Sequence, residues 1–173
     1  FQIDLQKKFW RELLEAFKEK GLIFSFCNTN LESCDEQKVI PKYYQYSRGN
    51  DNYGIYYKIG SLESYDINFF VQLKNNIYFG ITTSLNGKQV QYPNQLNDLA
   101  REIAIVDMNL NDSGAGWYLG GNRFPETPVN FREVDSVCIL INESSRKSWI
   151  NQTVDEITTF IENVKGLGVI DVQ

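Results

Sequence analysis

The chain has 173 residues, with 17 Lys and Arg against 22 Asp and Glu, no histidine, and a formal charge of -5. The missing histidine excludes Ser-His-Asp and Cys-His catalysis, His-based zinc sites and paired-His phosphodiesterase chemistry. The acidic balance excludes a surface built throughout for nucleic acid, whose binding is dominated by Lys and Arg.

Hydrophobic residues make up 42% of the chain, enough to bury a core within one domain, residues 1 to 173. The charge is uneven. Residues 1 to 58 carry nine cations against eight acids, and residues 59 to 173 carry eight against fourteen, so a basic face is expected only in the first third. Cys27, Cys34 and Cys138 cannot all pair within the chain and form no C-x-x-C spacing, which fits a reducing, cytoplasmic compartment. No apolar run approaches the roughly 18 residues that span a bilayer, so no membrane partner is expected.

In chain order, Leu5, Phe9, Trp10, Leu13, Leu14 and Phe17 recur at three- and four-residue steps and predict an amphipathic helix stopped by Gly21. Lys7, Lys8, Arg11, Lys18 and Lys20 lie on its other face, as a solvated face would. Strands are expected at Ile23 to Cys27, Val39 to Tyr46, Tyr53 to Ile59, Tyr65 to Leu73 and Ile77 to Leu85, all rich in Tyr, Phe, Ile and Val.

A two-residue loop at Asn75-Asn76 would waste the apolar stripe of the last two strands. A three-residue loop, Lys74 to Asn76, instead sets Leu73 opposite Ile77, Val71 opposite Phe79 and Phe69 opposite Ile81, with Asn76 expected in the left-handed conformation. Asn68, Phe70, Gln72, Tyr78, Gly80 and Thr82 then form the outer face. Asn86-Gly87 signals a second tight turn. Pro93 opens a helix with Leu96, Leu99, Ala100, Ile103 and Ala104 as its apolar stripe. A polar loop from Asp107 to Gly116 follows, then a glycine-rich aromatic stretch, a short strand at Val137 to Ile141, and a long helix from about Ser144 to Lys165. The expected fold is α+β, a mainly antiparallel sheet of about five strands with N-terminal, middle and C-terminal helices packed on one face.

Few constellations carry chemistry. Asp66, Gln72 and Lys74 resemble the metal-binding core of restriction-type nucleases, but all lie along one strand and its turn, spread over about 25 Å. Asp107, Asn109, Asn111 and Asp112 alternate like a calcium loop, yet Tyr118 stands where the bidentate Glu belongs. Cys27 and Cys34, without a histidine base, read as small hydrophobes. No cofactor is implied and no catalytic or metal-binding residue is assigned. Tyrosines 43, 44, 46, 53, 56 and 57, interleaved with Lys42, Arg48 and Lys58, are expected on two adjacent strands, where outward-facing rings beside cations can contact nucleic acid or a protein.

Residues 116 to 124, Gly-Trp-Tyr-Leu-Gly-Gly-Asn-Arg-Phe, continue to Val129-Asn130-Phe131 and the terminal helix. This pattern resembles the W-x-L-G-x-x-x-F and N-F elements in the C-terminal region of bacterial proteins of the PD-(D/E)XK nuclease superfamily. The resemblance implies a C-terminal piece of a longer bacterial protein, outside the catalytic core. The family's I-E-x-K-type element is absent from this chain, so no catalytic residue carries over. The expected role is that of a non-catalytic accessory domain positioning nucleic acid or a protein partner. Lys42, Tyr44, Arg48, Tyr56 and Lys58 form one candidate contact patch, and Trp117 and Arg123 a second. The alternatives are a divergent metal-dependent nuclease using Asp66 and Lys74, and an oligomerisation module built on the aromatic strands.

Overall fold

In a computed structural model, which describes residues 1–45, 52–106, 117–123, 125 and 127–172, alternation of apolar residues builds three long central strands, β2 (Tyr53–Leu62), β3 (Tyr65–Leu73) and β4 (Ile77–Leu85). The β3–β4 register matches the expected one: Leu73 faces Ile77, Val71 faces Phe79 and Phe69 faces Ile81. Asn76 does not take a positive φ; the loop closes instead with the Lys74 amide donating to the Asn76 carbonyl at 3.3 Å. Asn86 and Gly87 do adopt the left-handed region, at φ 52° and 77°, and turn β4 into β5 (Lys88–Val90).

Short strands complete both edges. β1 (Ser25–Asn28) and β7 (Asp171–Val172) pair with successive parts of β2, while β5 and β6 (Tyr118–Arg123) share the free edge of β4. The sheet is antiparallel throughout, in the order β1-β2-β3-β4-β5 with β6 beside β4 and β7 beside β2. Two glycines permit the closest approaches. A Cβ on Gly54 would stand 1.9 Å from the Val71 carbonyl oxygen, and one on Gly60 2.3 Å from that of Asp171, where β7 docks beside an irregularity in β2.

Helices cover one face. α1 (Gln2–Glu19) buries Leu5, Phe9, Trp10, Leu13 and Phe17 against Tyr53, Ile55, Phe69 and Val71 of the sheet, and α5 (Glu143–Lys165) adds Ile157, Phe160 and Ile161 to the same core. A 3-10 turn at Asn94–Leu96, with Pro93 as its N-cap, runs into α3 (Asn97–Val106), where Leu99 and Ile103 are buried but Ala104 is exposed.

Two expected strands are helices. Residues Glu36–Tyr44 form α2, opened by Asp35, whose carboxylate accepts from the Gln37 amide at 2.9 Å, and they bury Ile40 and Tyr43 one turn apart. Residues Val134–Ile141 form α4, whose last carbonyls, Leu140 and Ile141, accept from the Arg146 guanidinium at 2.7 and 3.4 Å. Arg146 is 2% exposed and also donates to both carboxylate oxygens of Glu12, at 2.6 and 3.1 Å. One side chain thus ties α1, α4 and α5 together.

Candidate functional site

The aromatic and basic residues do not share one surface. Lys42 is exposed on the last turn of α2, in the helical layer. Tyr44 beside it is half-buried, its ring edge-on to Tyr43 at 5.1 Å, and its hydroxyl is buried with no hydrogen-bond partner among the described residues. Tyr56 and Lys58 lie on the opposite side of the sheet. Tyr56 packs with Cys27, Leu31 and Phe70, and the Lys58 ammonium stands 2.9 Å from the Asp66 carboxylate. Trp117 is exposed just ahead of β6, and Arg123 ends that strand opposite Phe79. Arg48 and Tyr46, like the Asp107 to Gly116 loop, lie outside the described residues. The single tyrosine-lysine face expected from two adjacent strands therefore does not form, because residues 39 to 44 fold as a helix.

The outer face of the sheet is polar and largely covered. Asn68, Gln72, Thr82 and Ser84 are all buried, as is Phe70, although period-2 alternation places them away from the helices. Part of the cover is the loop after β1, whose Leu31 packs on Phe70 and whose Asn30 carbonyl accepts from the Gln89 amide at 3.1 Å. Beneath it the Asn68 amide donates to Ser84 at 2.9 Å, and the Gln72 carbonyl accepts from the hydroxyls of Tyr78 and, at 2.9 Å, Tyr118. Burial raises the pKa of both phenols, so they stay protonated donors near neutral pH rather than bases.

The residues weighed for nuclease chemistry are separated. Asp66 accepts from the Ser61 hydroxyl at 3.1 Å and pairs with Lys58, at the far end of β3 from Lys74. Cys27 and Cys34 occupy adjacent rungs of a short ladder, Cys27 opposite Ser33 and the Cys34 amide donating to Phe26, which directs the two thiols to opposite sides. Burial pushes the Cys34 thiol up to about 11 and raises that of Cys27 further, so neither is a ready nucleophile. Among the described residues no cluster of three or more Cys, Asp or Glu side chains could hold a metal ion, and no helix is long and apolar enough to cross a membrane.

A second arrangement lies where α2, the β3–β4 turn and the segment after Val129 meet. The Tyr43 hydroxyl donates to the Asn75 carbonyl at 3.5 Å, and the Ile77 amide donates to the Val129 carbonyl at 3.0 Å. The Arg132 guanidinium sits 4.2 Å from the centre of the Tyr43 ring and donates to the Tyr43 carbonyl. Exposed Lys42 and Lys74 flank these contacts in sequence, one residue before Tyr43 and one before Asn75. Sequence reading missed Arg132 because its partner lies 89 positions away, with no local spacing to signal it.

Comparison with protein-family models, with curated proteins and with solved structures found no match.

Proposed function

We propose that this chain is a non-catalytic accessory domain that positions nucleic acid, within a larger bacterial protein of the nuclease superfamily. The observation that supports the non-catalytic reading is that, among the described residues, the side chains weighed for chemistry are held in structural contacts. Asp66 is held by Lys58 and Ser61, the phenols of Tyr78 and Tyr118 are held by Gln72, and the two nearest thiols face apart. A hydrolytic site needs a nucleophile within hydrogen-bond reach of a base. The nuclease alternative would have to span the length of β3 between Asp66 and Lys74, about 25 Å at strand rise.

Support for the parent family is the Trp117-to-Phe131 pattern alone. Three unbridged cysteines fit the expected cytoplasmic setting. The test is incubation of the chain with labelled single- and double-stranded DNA and RNA in Mg²⁺ or Mn²⁺. Salt-sensitive binding with substrates left at full length supports the reading, and metal-dependent cleavage that Lys74→Ala abolishes overturns it.

A second reading, contact with a protein, is favoured by α4. Its outer side exposes Val134, Cys138, Ile139 and Ile141, and Val134 is 76% exposed. A solution mass above that of the monomer, restored to monomer by Ile139→Glu with Ile141→Glu, would support self-association through this helix.

A further inference from the structure

Most described cations of this chain are already neutralised. Lys8 and Arg146 pair with Glu12, Arg11 with Glu36, Lys18 with Glu15, Lys20 with Asp155, Lys38 with Asp35 and Lys58 with Asp66. Arg101, Lys147 and Lys165 likewise pair with Asp98, Glu143 and Glu162. Lys7 donates to Gln37, and Lys88 stands on β5 beside the Asn86-Gly87 turn. Like Lys7 and Lys88, the cations Lys42, Lys74 and Arg132 have no carboxylate partner among the described residues, and these three come from separate segments that are bonded to one another, Arg132 to Tyr43 and Tyr43 to Asn75.

We propose that the corner carrying Lys42, Lys74 and Arg132 is a binding site for the phosphate groups of a nucleic-acid strand. The inference rests on the nucleic-acid reading above and names where that contact is made. Three features make the corner more than a scatter of surface charge. Arg132 is pre-positioned, stacked on Tyr43 and bonded to its carbonyl, so little side-chain freedom remains to be lost on binding. Its bond to that carbonyl also offsets the negative end of α2. The neighbouring acid, Glu133, accepts from the Asn130 amide at 3.0 Å, while Asn130 also accepts from the Arg132 amide at 2.9 Å and fixes the turn. The whole is braced by the Tyr43 hydroxyl on the hairpin tip.

The test is fluorescence anisotropy of a labelled single-stranded DNA of about 20 nucleotides, titrated with the full chain at two salt concentrations. The variants are Lys42→Ala with Lys74→Ala, Arg132→Gln, and a control, Lys18→Ala with Lys147→Ala, which removes the same charge elsewhere. All are checked for unchanged thermal unfolding. The corner double variant should bind about tenfold more weakly and lower the slope of log affinity against log salt by about 2, while the control leaves both unchanged. Equal loss in the control, or full binding by the corner variant, would overturn the site while leaving the nucleic-acid reading intact. Absence of binding by the unaltered chain would overturn both. Inorganic pyrophosphate serves as competitor. Displacement only at far higher concentration supports a strand ligand, and displacement at concentrations equal to the DNA would overturn it in favour of a free phosphate compound.

Discussion

A buried guanidinium destabilises a fold unless it is paired and its remaining donors are bonded, and Arg146 meets both conditions through Glu12 and the α4 carbonyls. Arg146→Ala should lower unfolding stability by about 3 kcal/mol in urea titration, since it leaves two carbonyls without their donor and Glu12 with only Lys8, at 3.9 Å. Lys147→Ala, which removes an exposed partner of Glu143, should leave the urea midpoint unchanged. The tyrosines give a pH dependence. Burial raises the pKa of Tyr43, Tyr44, Tyr53, Tyr78 and Tyr118 above the ordinary value of 10.0. A raised folded-state pKa means that the native chain keeps these protons longer than the unfolded chain. Their contribution to stability is therefore complete below pH 10 and is lost as pH rises above it. Absorbance titration at 295 nm should show these five phenols ionising only with unfolding; full ionisation of all ten near pH 10 with the fold intact would contradict their burial.

At the scale of elements, what was legible in the sequence followed period and turn chemistry. The three-residue loop at Lys74 to Asn76 follows from which register buries Phe69, Val71 and Leu73, and the Asn86-Gly87 turn from its two left-handed positions. The long terminal helix shows its apolar stripe from Trp149 to Val164, more than four turns. Two helices were illegible for a common reason. Both α2, with Val39, Ile40 and two tyrosines, and α4, with Val137, Ile139 and Ile141, carry residues of strand propensity, and packing on α1 and α5 overrides it. The cap shows how α2 is held: Asp35→Ala should cost about 1 kcal/mol and reduce helix signal in circular dichroism, where an unchanged midpoint would argue that packing alone holds the helix. Gly54→Ala should destabilise more, because its Cβ would collide with the Val71 carbonyl in the adjacent strand. A glycine in a strand reads from sequence only as a weak point, and the neighbour that requires it is a tertiary fact.

Over the whole molecule, the sheet divides the chain into an apolar helical side and a polar, covered side, and this division breaks up the patch that the sequence placed on one face. Lys42 belongs to the first side and Lys58 to the second. The acidic total charge conceals the more useful fact, that the described cations are largely paired and that, of those without a carboxylate partner among the described residues, Lys42, Lys74 and Arg132 belong to segments that meet at one corner. Such a site depends on chain crossings that composition cannot show. It is tested most directly by amide chemical-shift mapping of the isotopically labelled chain during titration with single-stranded DNA. The largest shifts should fall on residues 42–45, 74–76 and 130–132. Shifts centred instead on the exposed side of α4, or on β2 and β3 around Lys58 and Asp66, would contradict the assignment of that corner as the nucleic-acid contact.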